Sequence, residues 1–543
     1  MNQKSNQSQS FEPFIDLQAA QSIQQAFLQQ WLDLCAQAQN GTLAPLRSRR
    51  FRGQAWEQNK WALFQAHAWQ LYANTLQQLA HITTKSPAVQ ERLAFYAMQW
   101  AELWSPANFL ATNPESQQKF FETQGQSLFK GLQNFLGDIQ KGRLTQVDEH
   151  AFEVGNNLAI TPGAVVYQNE LMQLIQYTPS TKEVHERPLL IVPPCINKYY
   201  ILDLQPENSF VKYAVDQGHT VFLMSWRNPM PEDKDGILYA TWGDYIEHGI
   251  LNAIEIVQEI TGQKQINTLG FCVGGTLLAS ALSIAKARDK SPSYSMTLLT
   301  SMLDFHDVGV LGVFVDEMTT QAFEWQMRNG RLMSAAQLAN TFSMLRPSEL
   351  VWNYVTSNYL EGETPPAFDI LFWNSDGTNL PGSFFTWYFR NTYLENNLAV
   401  PGKVTVNGTP IDFTVLDMPT YIYGSKDDHI VPWGTAFASV RQVSGPRRFV
   451  LGASGHVAGV INPPAANRRH YWAYEDDSEL DKHAVPEKWL ANAPKHEGSW
   501  WTDWAQWLAQ QGGKKVPAPK ALGNDTYTVI EAAPGSYVKR KAL

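Results

Sequence analysis

The sequence predicts an α/β protein with a mostly parallel central sheet, and two observations support this prediction. Short apolar runs recur after about residue 150, among them "PLLIVPP", "TVFLMSW", "INTLGFC", "MTLLTSM", "TYIYGS" and "RRFVLGA". Segments with helical periodicity, such as "YIEHGILNAIEIVQEI", separate several of these runs. Buried runs that alternate with helices are typical of a parallel sheet covered by helices on both faces.

The part of the chain before residue 150 has a different pattern. Residues 12–145 contain little glycine and no strand-like alternation, and apolar residues recur at helical spacing from Ile23 through Phe27 to Trp31. We therefore expect a helical N-terminal domain over residues 1–150 and an α/β domain over residues 151–543.

Two further features of the predicted α/β domain lie outside the regular alternation of strands and helices. The stretch "GAVVYQNELMQLIQY" predicts two strands joined by a turn at Gln168 and Asn169. Between about residues 307 and 412, a long aromatic-rich insert interrupts the alternation of strands and helices. An insert of this size between two strands is predicted to form a cap or lid.

The composition excludes several classes of function. The net charge of -9 argues against a nucleic-acid partner, and no apolar run is long enough for a transmembrane segment. The polar start "MNQKSNQSQS" lacks the apolar centre of a signal peptide. Cys35, Cys195 and Cys272 are too few and too far apart for a disulfide framework or a zinc site, which favours a reducing, cytosolic compartment. No nucleotide-binding glycine motif is present, so we expect no cofactor and no metal.

The most informative motif is Gly270-Phe271-Cys272-Val273-Gly274, which follows one of the apolar runs. It matches a nucleophile elbow with cysteine in the position that serine usually takes. Glycine is needed two residues on either side because the strand and the next helix approach closely there. A helix N-terminus favours a thiolate, although a buried structural cysteine would also fit the motif taken alone.

An elbow of this kind also predicts where an oxyanion would bind. The backbone N–H of Val273 follows the nucleophile and is one expected donor. The second donor should come from the loop after "LLIVPP", where we choose Ile196, next to Cys195.

The two partners of the nucleophile are predicted from chain order. In this fold the acid follows a later strand and the histidine follows the last one. Asp428 comes directly after "TYIYGS", and His456 lies in a glycine-rich loop after "RRFVLGA". Asp304 is the competing acid and His429 the competing base, and we rank both lower.

A thiol nucleophile indicates a particular chemistry. Cysteine that attacks an acyl thioester keeps the acyl group as a thioester, so its later transfer to an alcohol is downhill. In this scheme His456 deprotonates Cys272, and Asp428 supports the imidazole. Water as the acceptor would give a thioesterase instead, and a lid could exclude it.

Five motifs in order resemble the class I polyhydroxyalkanoate synthases: "PPCINKYYILDL", "GFCVGGT", "FWNSDGTNLPG", "YIYGSKDDHIVPW" and "GASGHVAGVINPPA". The resemblance implies an α/β-hydrolase fold with a cap, and an enzyme that polymerises (R)-3-hydroxyacyl-CoA into a polyester with release of CoA. Its nucleophile, acid and histidine map onto Cys272, Asp428 and His456. In the family the aspartate is also assigned to activating the incoming 3-hydroxyl group, and the sequence does not choose between these roles.

The resemblance further implies a homodimer on the surface of cytoplasmic polyester granules and a preference for short side chains. A thioesterase or polyester depolymerase on the same framework is the alternative function, and a non-catalytic granule-coat protein is a third. The residues that bind CoA stay open.

Two aromatic segments have more than one interpretation. The C-terminal "SWWTDWAQWLAQ" is predicted to pack on the core rather than to form a granule-binding face. Trp242 and Tyr245 are also expected to be packing residues. The aromatic side chains of the insert could line a polymer channel, contact a second subunit or fill the core of the cap: Trp373, Phe384, Phe385 and Trp387.

Overall fold

The computed structural model describes residues 15–483 and 485–542, so the expectation about the amino-terminal decapeptide lies outside the described residues. The chain forms two compact units. The first joins the described residues up to Asp148 with Asn340–Pro366, and the second joins Glu149–Ala339 with the described residues from Ala367 onward.

The first unit is helical. Two of its helices begin at asparagine caps, since Asn59 and Asn113 each accept backbone N–H groups of the following turn. A small core forms around Phe51 and Trp56. The helices of residues 15–148 are α1 Leu17–Asn40, α2 Gln54–Gln58, α3 Lys60–Ile82, α4 Pro87–Leu103, α5 Pro114–Glu122 and α6 Gln126–Lys141.

Part of the aromatic-rich insert belongs to this first unit. The Asn358 side chain donates to the Thr145 carbonyl at 2.7 Å, and the Tyr359 hydroxyl donates to Asp138 at 2.7 Å. Gly131 allows the backbone of α6 to lie against the backbone at Tyr359, because a Cβ at Gly131 would lie 1.9 Å from the Tyr359 carbonyl oxygen. Within the predicted insert 307–412, residues 340–366 group with the first unit and the remainder groups with the second.

The second unit is built on a sheet that has eleven strands within the described residues. The strands are β1 Gly163–Gln168, β2 Met172–Tyr177, β3 Leu189–Val192, β4 Val221–Trp226, β5 Ile266–Phe271, β6 Ser293–Leu299, β7 Thr420–Ser425, β8 Arg447–Gly452, β9 His470–Trp472, β10 Lys495–Glu497 and β11 Glu531–Ala532. Six central strands run parallel, in the order β4-β3-β5-β6-β7-β8. Antiparallel strands extend both sides to give β10-β9-β8-β7-β6-β5-β3-β4-β2-β1-β11.

The predicted strands are confirmed by this sheet. Each of the six apolar runs overlaps one of the parallel strands, and the predicted pair before them forms the antiparallel β1 and β2. Short two-stranded pairs lie outside the sheet: Glu183–His185 with Lys515–Pro517, Leu332–Met333 with Leu380–Pro381, and Thr405–Val406 with Thr409–Pro410.

The helices after residue 149 follow in chain order. The segment with helical periodicity after β4 is helical, and its first part, Tyr245–Leu251, is a π-helical stretch. The α-helices are α7 Phe210–Asp216, α8 Trp242–Asp244, α9 Asn252–Thr261, α10 Val273–Ala287, α11 Glu317–Gln326, α12 Ala335–Leu345, α13 Asp369–Ser375, α14 Gly382–Phe389, α15 Trp433–Ala438, α16 His456–Val460, α17 Glu479–Lys482, α18 Pro486–Asn492 and α19 Trp501–Gln511. Further π-helical stretches are Ser348–Trp352, Val355–Leu360 and Arg390–Leu394.

Most of the conspicuous aromatic side chains lie in the core of the second unit. The C-terminal helix α19 is a core helix, as predicted, since Trp500, Trp501 and Trp504 are buried. Trp242 and Tyr245 are buried as well, and Trp242 stacks on Trp387 of the insert at 5.0 Å between ring centroids. The other aromatic residues named in the insert are also buried, which favours core packing among the three interpretations: Trp373, Phe384 and Phe385.

Among the residues that the structure describes, no helix combines the length and the apolar character that crossing a membrane requires.

Candidate active site

Cys272 stands on a sharp turn between β5 and α10. Its backbone has φ 55° and ψ -129°, a conformation that costs energy for a residue with a side chain. The Cys272 N–H donates to the Leu299 carbonyl at 2.9 Å, and its own carbonyl accepts from Gly275 N–H at 2.9 Å. These bonds hold the turn, and the side chain is partly exposed rather than enclosed.

The glycines around Cys272 allow three backbone segments to meet. A Cβ at Gly270 would lie 2.3 Å from the Gly275 Cα, and a Cβ at Gly274 would lie 2.4 Å from the Val192 carbonyl oxygen. No real side chain tolerates such distances without a shift of backbone. The predicted role of the two glycines, to let the strand and the helix approach, is confirmed.

Asp428 and His456 come together beside this turn. The His456 ring donates from Nδ1 to Oδ2 of Asp428 at 2.7 Å, and the two side chains are 7% and 0% exposed. The other carboxylate oxygen, Oδ1, accepts from the N–H groups of Ile430 and Val431 at 2.8 and 2.9 Å. Asp428 is therefore fixed by three hydrogen bonds, and it sets the tautomer of His456.

The imidazole of His456 also lies beside Cys272. It stacks on Phe271, the residue before Cys272, at 5.6 Å between ring centroids. Burial alone lowers the pKa of His456, but the charge of Asp428, the nearby Cys272 and the hydrogen bond to Asp428 outweigh burial and raise the pKa to about 10. The site thus favours an imidazolium beside the sulfur.

The competing acid is engaged with other partners. Asp304 accepts from the Asn396 amide at 2.7 Å and from the His306 backbone N–H at 3.0 Å. His429 is next to Asp428 in the chain, but the carboxylate of Asp428 is engaged with His456. Cys272, His456 and Asp428 are the three residues that the fold brings together.

The two predicted oxyanion donors lie on the segments that surround the sulfur. Val273 is the first residue of α10, and the N–H groups in a first helical turn have no partner within the helix. Ile196 follows β3 in a loop whose neighbouring residue, the buried Cys195, lies within electrostatic range of Cys272. The Ile196 carbonyl accepts from Thr378 N–H at 2.9 Å.

Two residues near the sulfur were missed by the sequence analysis. The rings of Tyr388 and Tyr393 pack edge to face at 5.6 Å between centroids, and both phenols lie near enough to Cys272 for it to raise their pKa. Burial raises the pKa of both phenols, so they are neutral hydrogen-bonding groups. The stretch "FFTWYFRNTYL" could have indicated them, since it places two tyrosines in an apolar segment. A buried tyrosine hydroxyl usually has a polar partner.

Within residues 15–483 and 485–542, no three His, Cys, Asp or Glu side chains are grouped so that they could hold a metal ion.

The fold and the site define a class of protein. A mostly parallel sheet with an elbow after β5, a carboxylate after β7 and a histidine after β8 has the chain order of the α/β hydrolases. Residues 188–463 match the family model of the alpha/beta hydrolase fold. A solved monoacylglycerol lipase of Paleococcus ferrophilus is similar over 63% of this chain and 99% of its own, with 10% identity and a TM-score of 0.34.

Comparison with known sequences narrows the class to one family. Residues 47–214 match the model of the poly-beta-hydroxybutyrate polymerase (PhaC) N-terminus. The poly(3-hydroxyalkanoate) polymerase subunit PhaC of Cupriavidus necator is 52% identical over 96% of this chain and 88% of its own. The protein of the same name from Rhizobium meliloti is 42% identical over 83% of this chain and 73% of its own. The chain belongs to the poly(3-hydroxyalkanoate) polymerase family.

Proposed function

We propose that this enzyme polymerises (R)-3-hydroxyacyl groups, delivered as CoA thioesters, through covalent intermediates on Cys272. The observation that carries the proposal is the shielded His456–Asp428 pair, joined at 2.7 Å, beside Cys272 on its elbow, in a chain of this family. An acyl group held on sulfur keeps the reactivity that ester formation needs.

In the first step the Cys272 sulfur attacks the carbonyl carbon of the acyl-CoA. A C–S bond to Cys272 forms, the C–S bond to CoA breaks, and CoA leaves as a thiolate that takes a proton from the His456 imidazolium. The backbone N–H groups of Val273 and Ile196 stabilise the oxyanion that develops on the way.

In the second step a 3-hydroxyl group attacks the acyl-cysteine. Neutral His456 takes the hydroxyl proton, a C–O ester bond forms, and the sulfur of Cys272 leaves as the thiolate that starts the next cycle. We assign to Asp428 the support of His456 rather than direct activation of the hydroxyl, because its side chain is shielded and both its oxygens are already bonded.

The proposal also covers the substrate, the product, the cellular location and the oligomeric state. The substrate class is a short-chain (R)-3-hydroxyacyl-CoA, the product is a growing polyester, and the site of action is the surface of a cytoplasmic granule. We further propose that the active form is a homodimer. No cofactor takes part.

The test is to supply purified protein with (R)-3-hydroxybutyryl-CoA and to follow both free thiol and polymer. Release of CoA together with an insoluble polyester supports the proposal. Release of CoA with only soluble 3-hydroxybutyrate would instead identify a thioesterase, and no release would contradict both. A series of acyl chain lengths then defines the accepted side chains.

A further inference from the structure

The loop that carries Ile196 is packed directly against the nucleophile turn. Gly274 of α10 leaves no space for a Cβ, which would lie 2.6 Å from the carbonyl oxygen of Pro193, at the start of this loop. Pro194 is followed by the buried Cys195, which lies near Cys272, and by Ile196. The conformation of this loop therefore determines where the Ile196 N–H lies relative to the sulfur.

The loop is held by a segment that is remote in sequence, Trp373–Asn379. Thr378 N–H donates to the Ile196 carbonyl at 2.9 Å, and Asn197 pairs with Gly377 in an antiparallel bridge. The Trp373 indole N–H donates to the Lys198 carbonyl at 2.6 Å.

This holding segment is itself fixed at its far end by one asparagine. Asn379 N–H donates to the Asn228 side chain at 3.0 Å, and the Asn379 amide donates to the Pro229 carbonyl at 3.0 Å. The segment is thus tied to the chain just after β4, so it acts as a fixed support for the loop.

A buried pair of charges joins the loop to the segment. Lys198 Nζ and Asp376 Oδ1 lie 2.8 Å apart, with side chains only 3% and 8% exposed. The Tyr200 hydroxyl donates to the other oxygen, Oδ2, at 3.0 Å. Such a pair contributes little net stability compared with apolar residues, but it fixes one arrangement because either charge left alone is costly.

Neither charge takes part in the chemistry proposed for Cys272, His456 and Asp428. Because the reaction does not use this buried lysine and aspartate, their positions indicate another role. Lys198 lies two residues after Ile196, and Asp376 lies two residues before Thr378, which binds the Ile196 carbonyl. We propose that Lys198 and Asp376 are positioning residues that hold the Ile196 N–H where it stabilises the oxyanion. This inference rests on the proposed function of the same site.

The test compares three variants with wild type: Lys198→Met, Asp376→Asn and the double variant Lys198→Met/Asp376→Leu. Three quantities are measured on each: kcat and KM for CoA release from (R)-3-hydroxybutyryl-CoA, the rate of alkylation of Cys272 by iodoacetamide, and the melting temperature. Alkylation needs the thiolate but no oxyanion hole, so it reports on the triad alone.

Each single variant is expected to lower kcat about 10- to 100-fold, since outright loss of one oxyanion donor costs about 100- to 1000-fold. KM and the alkylation rate should stay unchanged. The double variant leaves no unpaired charge, so its melting temperature should recover while kcat stays low. The exposed pair Lys212 and Asp216 provides the matched control, and Lys212→Met/Asp216→Leu should change none of the three quantities.

The inference is wrong if kcat of the double variant recovers along with its melting temperature, or if alkylation falls in step with kcat. Unchanged kcat in the single variants would also reject it. Failure of the proposed function has a different signature: wild type would release no CoA, or Cys272→Ala would turn over as fast as wild type.

Discussion

Helices α10 and α6 both contain glycine and many apolar residues, yet their surroundings differ completely. In α10 of the second unit every residue from Val273 to Ala285 is buried. In α6 of the first unit an apolar face is exposed: Leu128, Phe129, Leu132, Phe135, Leu136 and Ile139. The helix that follows the candidate nucleophile is buried along most of its length, whereas the apolar composition of α6 does not by itself lead to burial.

The largest effect is expected from replacing Cys272, the residue directly before the buried helix α10. Cys272→Ala should reduce CoA release to background, because no nucleophile remains, while the fold is kept since the side chain is small and partly exposed. Cys272→Ser should also be strongly impaired in polymer formation, because an acyl-serine oxoester reacts with an alcohol more slowly than an acyl-cysteine thioester does. CoA release and circular dichroism measure the two effects, and rapid turnover by the alanine variant would reject Cys272 as the nucleophile.

The next effect concerns the charge that is buried beside the enclosed helix. Asp428→Asn should lower CoA release about 10⁴-fold, because the amide no longer sets the tautomer or the charge of His456. It should also bring the His456 pKa down from about 10, since the Asp428 charge raises it. Ring-proton NMR of His456 measures this pKa.

The sign of the pH dependence follows from the same shift. The pKa of His456 is raised above its ordinary value of 6.5, so the stability gained from its charge is complete below about pH 6.5 and is lost as the pH rises through about 10. The difference in melting temperature between wild type and Asp428→Asn should accordingly shrink from pH 6 to pH 10. A melting-temperature difference that grows from pH 6 to pH 10 would contradict the raised pKa of His456.

A matched pair of glycine substitutions compares the two helices directly. Gly274→Ala in α10 should destabilise the protein by about 1–3 kcal/mol or more, because the added Cβ meets the carbonyl oxygens of Val192 and Pro193. Gly137→Ala in α6 should stabilise it by about 0.5–1 kcal/mol, because nothing lies within 4 Å of the added Cβ and alanine favours a helix. Urea unfolding checks both values, and equal costs would remove the distinction drawn between the helices.

The smallest effect is expected on the exposed face of α6. Leu132→Gln should change the free energy of unfolding by no more than about 0.5 kcal/mol, as for other surface substitutions. Leu277→Ala in the fully buried part of α10 should cost about 2–5 kcal/mol. A large cost for Leu132→Gln would show that α6 is covered in solution.

The sequence predicted what depends on local pattern and on chain order. Apolar runs identified the parallel strands, glycine spacing identified the turn at Cys272, and the order of strands identified Asp428 and His456. These features follow from the period of a strand and from the rule that parallel strands present their carboxyl ends at one edge.

What the sequence did not predict depends on contacts between distant segments. Lys198 and Asp376 are 178 residues apart in the sequence, and no local pattern around either residue predicts that they pair. The grouping of residues 340–366 with the first unit likewise rests on individual contacts such as that of Tyr359 with Asp138. Pair contacts of this kind leave no period in a single sequence.

Strand β11, Glu531–Ala532, pairs with β1 at one end of the sheet, although the chain makes it after every other strand of that sheet. During synthesis on a ribosome, β1 must therefore wait with one side unpaired until more than 350 residues have followed it. An unpaired strand edge is a template for aggregation, so slow or interrupted translation of the last part of the chain should favour inclusion bodies over soluble enzyme.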